Sequence, residues 1–342
     1  MEFINLFNSR IINYLLFFNL LILFFLIFFF IKIKIKHSFF LKVSEQLYHK
    51  NKIFNNSGVF IILLFLFSGL IIYLYEKEFS NIFVNFSSRY YLLFLAVFLL
   101  LILSIYDELF KINPTVRLIF QISICYLSLP IFKFPIIEIL PNKVELLFIV
   151  YFFILIINTN NFIDGSDGVM GACSTILYVG VLILSYLENQ IYPITIVSLI
   201  MLSLFIPFLF FNWPKAKIFA GDTGSIPVGF INGYIIVFLI QIDYYFLGVI
   251  FFLYPLLDVN LTIIRKIING IPPWARLFDY YFLAPTYIGE EDHFFVLKKI
   301  ILIGFVNLLS GFLYIKFPNI FIFLLSLIPN LYLILLFNKF RK

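Results

Sequence analysis

Charge is scarce in this chain. Asp, Glu, Lys and Arg make up only 12% of its 342 residues, about half the ~25% usual in soluble proteins. Cysteine is scarcer still. Cys125 and Cys173 stand far apart, in or beside apolar runs, so neither a disulfide framework nor a thiolate metal site is readable. The three histidines, His37, His49 and His293, are scattered, which argues against a histidine-built metal centre. Internal repeats are lacking, and so is any stretch polar enough for a soluble domain. The net charge of +6 does not point to nucleic acid, because the lysines flank apolar spans instead of forming one stripe.

What is present is apolar: 63% of the residues, with 49 Phe among them. No soluble core could hide that much apolar surface, so the chain reads as an all-α, polytopic integral membrane protein whose partner is the lipid bilayer. A span needs about 20 residues. That ruler predicts about eleven helices: Ile11–Ile31, Val59–Tyr75, Tyr90–Ile105, Val116–Phe132, Glu145–Ile157 (short), Gly171–Leu187, Pro193–Phe211, Ser225–Gln241, Tyr244–Ile263, Lys299–Ile315 and Asn319–Phe337. The first run is too long for a signal-peptide core and lacks a small-residue cleavage site, so it is expected to be retained.

With the first loop placed in the cytoplasm, only Arg10, Lys77, Arg89, Lys133, Lys143 and Lys316 of the 24 Lys and Arg fall outside. The N-terminus is then outside and the C-terminus cytoplasmic. In that topology 1–342 is a single transmembrane domain with candidate active-site loops near 106–116, 158–170, 211–225 and 264–295. All four polar, acid-bearing segments share the cytoplasmic face. Random turns have no reason to segregate in this way, so the four read as one site.

Two segments dominate it. NTNNFIDGSDGVMG, Asn158 to Gly171, holds Asp164 and Asp167, each followed by glycine, with Asn161 upstream. Carboxylates and an amide are hard oxygen donors suited to Mg²⁺, and glycine lets backbone pass close to a diphosphate. The plainer reading is a polar turn, where Asn, Asp and Gly are common anyway. FAGDTGS, Phe219 to Ser225, flanks Asp222 with Gly221 and Gly224 before a helix expected to begin near Ser225, with Asn212, Pro214 and Lys217 ahead of it. A helix start with free N–H groups favours phosphate; a simple N-cap is the bland alternative.

Asp107 and Glu108 close the third helix, and Pro114, Arg117 and Gln121 follow on the fourth. The acids would activate or position an acceptor, or be a solvated helix end; Arg117 would hold a lipid phosphate, or anchor the helix. Asp258, inside the ninth helix after Pro255, needs a partner there, with Arg265 one or two turns on.

In order and spacing these segments resemble the polyprenyl-phosphate N-acetylhexosamine-1-phosphate transferases, of the glycosyltransferase family 4 type. That family includes the phospho-MurNAc-pentapeptide transferase of peptidoglycan synthesis and the GlcNAc-1-phosphate transferases that start O-antigen and teichoic-acid assembly. Its N-A-x-N-x-x-D-G-x-D-G-L resembles Asn158 to Val169, its F-M-G-D-x-G-S resembles Phe219 to Ser225, and its Asp-Asp pair before P-x-x-R-x-x-x-Q resembles Asp107-Glu108 with Pro114, Arg117 and Gln121. Its P-L-x-D ahead of a basic pair is similar to Pro255 to Asp258 with Arg265-Lys266, and His49 with Gly58 faintly echoes its histidine and glycine cluster. The resemblance runs over roughly residues 45 to 285.

The resemblance implies an enzyme of the EC 2.7.8 class in a bacterial inner membrane, passing a sugar-1-phosphate from a UDP-N-acetylhexosamine to undecaprenyl phosphate and releasing UMP. It implies Mg²⁺, with Mn²⁺ an alternative, and leaves a homodimer open. By position it makes Asp107, Glu108, Asp164 and Asp222 catalytic, with Asp222 and Asp164 on the metal. Asn161, Asp167, Asn212, Lys217, Arg117 and Arg276 would bind substrate. Two departures stand out. Glu108 replaces the second aspartate, and the family's H-x-H-H loop is replaced by PPWARLFDYYFL, Pro272 to Leu283, where Arg276 and Asp279, or His293 folding back, would have to substitute. The rival readings are a secondary transporter, which predicts inverted repeats and mid-membrane acids, an inactive relative, and a CDP-alcohol-type transferase, whose D-G-x-x-A-R is absent after Asp164.

Overall fold

A computed structural model of the chain describes residues 10–33, 41–42, 53–74, 88–137, 139–272, 280–289 and 291–341. His37, His49, Arg276 and Asp279 lie outside them. The described residues are helical apart from turns and one two-residue strand pair, Leu41–Lys42 (β1) with Ile53–Phe54 (β2). The helices are α1 (Arg10–Ile33), α2 (Gly58–Leu74), α3 (Tyr91–Phe110), α4 (Pro114–Ser128), α5 (Asn142–Ile163), α6 (Val169–Glu188) and α7 (Pro193–Asn212). Then follow α8 (Asp222–Gln241), α9 (Leu247–Phe251), α10 (Leu253–Ile268), α11 (Ala284–Tyr287), α12 (His293–Lys316) and α13 (Ile320–Asn338). Among the described residues, nine helices are long and apolar enough to cross a membrane; α2 is shorter. The chain is an all-α, multi-pass membrane protein.

All eleven expected segments are helical, with three informative differences. The fifth is not short: α5 runs on through Asn158–Asn161, where a loop was expected. Its asparagines are accommodated because Asn158 bonds the carbonyl of Ile154, one turn back, and Asn160 and Asn161 find partners on α8. The eighth helix begins three residues early, at Asp222. The ninth is broken at Phe252 into α9 and α10. Pro255 lacks an N–H, and its ring crowds the carbonyl of Phe251 four residues back, which favours a break here.

The axis of the bundle is α8, in which every residue from Thr223 to Leu239 is buried. It packs on α5, α3, α2 and α9. Lipid offers no hydrophobic drive to join two apolar helices, so close packing through small residues must do so. Gly229 and Gly233 provide it: a Cβ on Gly229 would lie 2.7 Å from the Ile157 Cα, and one on Gly233 2.8 Å from the Phe153 ring. By contrast, α1 turns Tyr14, Phe17, Phe25 and Phe29 outward.

Asn232, midway along this axis, is paired with its polar neighbours, as a dry interior favours. Tyr178 Oη donates to Asn232 Oδ1 (2.8 Å), and Asn232 Nδ2 donates to Ser174 Oγ (3.0 Å) and Asn160 Oδ1 (3.2 Å). Asn160 Nδ2 in turn donates to the Ser225 carbonyl at 2.8 Å. The chain of bonds ends where the polar segments meet. Gly229→Ala should push α5 and α8 apart and cost about 1–3 kcal/mol, read as a lower unfolding temperature in detergent. Gly165→Ala, whose new Cβ meets nothing nearer than the Phe162 carbonyl at 3.8 Å, should change it little.

Candidate active site

At one end of the bundle the turns α3–α4, α5–α6 and α7–α8 converge. Asp107 lies in the last turn of α3, where the helix closes on a left-handed Lys111 whose N–H bonds the Asp107 carbonyl. Asn113 caps α4 by accepting from Thr115 N (2.9 Å), Pro114 opens it, and Arg117 follows within the first turn. Its Nη1 donates to Asp107 Oδ2 (2.9 Å) and to Asp222 Oδ2 (3.1 Å). A single guanidinium thus joins carboxylates 115 positions apart in the chain, since Asp222 is the first residue of α8. The three side chains keep 13–25% of their surface exposed, which a ligand can reach.

Asp222 is held from its other oxygen as well. Asn161 Nδ2, near the end of α5, donates to Asp222 Oδ1 (3.0 Å) and to Ser225 Oγ (2.9 Å). Gly221, just ahead, has φ +67° and no room for a side chain: a Cβ there would collide with Asn56. Asp164 latches the same turn, accepting from Gly221 N (2.7 Å) and Ala220 N (3.3 Å). Both oxygens receive N–H groups, an arrangement that suits the ionised carboxylate. Burial nevertheless pushes the Asp164 pKa well above the ordinary carboxylate range. The two amides pull it down and the charge of Asp222 adds to the rise.

The second aspartate of the motif is placed differently. Asp167 is fully buried, and its Oδ2 accepts from the amides of Lys215 and Ala216, both at 3.1 Å. Asn212 is also buried, accepting from Gly168 N (3.0 Å) and donating to the Ile218 carbonyl (2.7 Å). These two side chains staple the 213–221 segment to the α5–α6 turn. Lys217 has an exposed side chain, and Glu108 sits half-buried one position past Asp107, about 100° round the helix. Gln121 is buried one turn beyond Arg117.

Asp258 takes Tyr254 Oη (2.8 Å) and the amides of Tyr281 (3.0 Å) and Phe282 (2.9 Å). The expected neighbour Arg265 is close enough to favour the Asp258 charge, and it also lies over the Tyr281 ring. His293 opens α12, with its ring 6.2 Å from that of Tyr287.

Within Phe54 to Gly58 the sequence drew attention to Gly58 alone, as a faint echo with His49. The Phe54 carbonyl accepts from Phe219 N (2.9 Å), Ser57 Oγ donates to the Phe219 carbonyl (2.8 Å), and Gly58 N donates to that of Ala220 (3.0 Å). Asn55 and Asn56 stand beside Gly221. The signal was available as Asn-Asn-Ser-Gly directly ahead of an apolar run.

Among the described residues no three His, Cys, Asp or Glu side chains stand close enough to form a metal cage. Mg²⁺ needs none, since it commonly takes one or two carboxylates and completes its shell with water and substrate phosphate. The hard oxygens of Asp222 and Asp107, both partly exposed, fit that demand.

With this geometry in hand, the chain compares with known proteins as follows. Residues 90–240 match the model of glycosyl transferase family 4. The family 4 segment holds Asp107, Arg117, Asn161, Asp164 and Asp222 together. A probable undecaprenyl-phosphate N-acetylglucosaminyl 1-phosphate transferase of Bacillus subtilis (strain 168) is 27% identical over 236 residues, 63% of this chain and 63% of that relative. The phospho-N-acetylmuramoyl-pentapeptide-transferases of Leuconostoc citreum and Bacillus subtilis are 37% and 36% identical over 73 and 84 residues. Those two matches cover 21% and 24% of this chain and 22% and 26% of the relatives. The aligned part therefore spans under two thirds of each relative's length. The family agrees with the resemblance carried by the motifs.

Asp164→Asn would turn an amide NH₂ toward the donors of Ala220 and Gly221. A hydrogen bond to a charged group contributes about 1.5–3 kcal/mol, so hydrogen exchange at those two amides should quicken by about tenfold or more. An unchanged rate would remove Asp164 as the latch of this turn.

Proposed function

We propose that the chain transfers an N-acetylhexosamine-1-phosphate from a UDP-sugar to undecaprenyl phosphate, releasing UMP, as the first membrane step of a cell-envelope glycan. The site would face the cytoplasm from a bacterial inner membrane, where the positive-inside bias puts all four polar segments. The observation that carries this reading is the Arg117 bridge between Asp107 and Asp222, because it gathers separate turns into one polar cluster at a lipid–water boundary. The names of the relatives supply the substrate classes.

In this reading an oxygen of the lipid phosphate attacks the phosphorus that bears the sugar. The bond to the nucleotide's phosphate breaks, and UMP leaves with that bridging oxygen. A lipid phosphate is already ionised near neutral pH, so positioning and charge neutralisation contribute most of the rate. A divalent cation, Mg²⁺ or Mn²⁺, held by Asp222 with Asp107, would neutralise the diphosphate. Asp164, each of whose oxygens takes one amide and keeps a further lone pair, would be the cation's other ligand. Arg117 binds phosphate oxygens and lets its carboxylates turn to their ligand, while Asn161 keeps Asp222 aimed. Glu108, next to Asp107, adds negative charge on the side of the incoming acceptor. Asp167 and Asn212 hold the wall on which Lys217 projects toward the nucleotide, and Arg276 would come from the last loop.

Incubating the purified chain with Mg²⁺, undecaprenyl phosphate and a panel of UDP-N-acetylhexosamines while following UMP tests this directly, and transport without UMP release would point to the transporter reading. Asp222→Asn and Asp107→Asn should abolish turnover in protein that still folds. Arg117→Gln should cost about 10²–10³ in rate, the scale for losing one preorganised donor. Glu188→Gln, at the exposed Tyr244 contact, should be silent. Retained turnover in the Asp222 variant would sink the assignment.

A further inference from the structure

Where α1 meets α7 the outer face of the bundle is indented. The groove has a volume of about 500 Å³, and its walls include Leu20 and Phe24 of α1 with Ile206, Pro207, Phe210 and Trp213 at the end of α7. That volume falls in the range of about 300–1,000 Å³ for ligand pockets. The Phe24 ring holds the two walls together, lying 5.7 Å from the Phe210 ring and 5.2 Å from the Phe211 ring. Ile206, Phe210 and Trp213 are exposed, so the groove opens away from the bundle, toward the bilayer. Any hydrocarbon chain fits such a groove, and the hydrophobic effect selects none, because lipid tails are as apolar as the walls. Selection has to come from its ends.

One end is marked by positive charge. Phe28 stacks on Phe24 one turn along α1, with centroids 6.3 Å and planes 9° apart, and Lys32 Nζ lies 4.6 Å from the Phe28 centroid. Lys32 therefore stands two turns beyond the groove wall and in line with it, and it is exposed. On the other wall Trp213 is followed two residues later by Lys215, also exposed. This is the end at which the polar segments meet. The Phe30 ring lies 5.2 Å from that of Phe54, whose carbonyl accepts from Phe219 N, and Lys215 N donates to Asp167. A tryptophan at the rim with lysines just past it matches the headgroup level of a bilayer, where amines attract an anionic headgroup.

We propose that this groove binds one anionic phospholipid of the bilayer, with an acyl chain between α1 and α7 and the headgroup phosphate at Lys32 and Lys215. The occupant is a bilayer lipid and not the isoprenoid acceptor of the transferase reading. The groove's helices pack on α2 and α6, whereas α4, which carries Arg117, packs on α3 and α5. A phosphate held at Lys32 and Lys215 is thus on a different flank from the Asp107–Asp222 cluster, and the site does not rest on that reading. Bound there, the lipid braces from outside the 213–221 segment that Asp167 and Asp164 hold from within.

The test reads the groove from Trp213, one of the two tryptophans in the chain. The other, Trp274, lies outside the described residues and is replaced by Phe. The full-length chain is then placed in bilayers containing phosphatidylglycerol or phosphatidylcholine with brominated acyl chains, which quench a tryptophan on contact. Phosphatidylglycerol should quench Trp213 at a mole fraction about fivefold or more below that of phosphatidylcholine, the scale for one lysine at a membrane surface. Lys32→Gln with Lys215→Gln should bring the two lipids within twofold, and Lys316→Gln should leave the preference in place. Leu20→Phe, which fills the groove, should weaken quenching by both. Should the Trp274→Phe chain fail to fold, native mass spectrometry of the unaltered chain and the double lysine variant carries the same expectation, one phosphatidylglycerol fewer retained by the variant. Equal quenching by the two lipids before any lysine is changed would overturn the proposal, leaving unselective boundary lipid. So would undecaprenyl phosphate that displaces the brominated phosphatidylglycerol more strongly than plain phosphatidylglycerol does.

Discussion

One guanidinium sets the geometry on which this site depends. Arg117 donates to Asp107 at 2.9 Å and to Asp222 at 3.1 Å, and so ties the end of α3 and the start of α8 to α4. Without it two carboxylates would face each other across a partly dry pocket, and their repulsion would splay the helices that carry them. With it the two carboxylates are held in place on either side of one cation. The surroundings are built to hold this arrangement. Asn161 restrains the second oxygen of Asp222, and Asp164 restrains the backbone immediately before it.

The two aspartates of the DGSDG turn show how like residues diverge in role. Both are buried, and both accept backbone amides from the segment between α7 and α8. They make the irregular 213–221 stretch affordable near a membrane, where loose N–H groups have no water to turn to. The asparagines continue the same logic inward: Asn160 and Asn232 carry hydrogen bonds from the Ser225 carbonyl to Tyr178.

Much of this was legible beforehand. All eleven apolar runs are helices, because hydropathy over about 20 residues reports directly on what lipid will tolerate. The meeting of Asp107, Asn161 and Asp222 in one place was expected from the helix count, which puts their segments on one face. Element ends were harder. An asparagine run looks like a loop until its partners on a neighbouring helix are known, so the extension of α5 through Asn161 was hidden, as was the early start of α8. The break at Phe252 had a local cause in Pro255, but a proline bends some helices and severs others according to packing. The Phe54–Gly58 segment carried no charge to draw the eye; its Asn-Asn-Ser-Gly run was the signal, and its bonds to Phe219 and Ala220 come mostly from backbone.

The full enclosure of α8 bears on how the protein comes to be built. A helix wrapped on every side by other helices is freed from the need to please lipid, and α8 uses that freedom to carry Asn232, Ser225 and Pro227 through its length. Its segment is less apolar than that of α1, which lies at the edge. During synthesis α1 can partition into the bilayer unaided, whereas α8 emerges after α2, α3 and α5, the neighbours that will surround it. The order of the chain thus supplies three of its four main packing partners before the helix that needs them, and only α9 follows it.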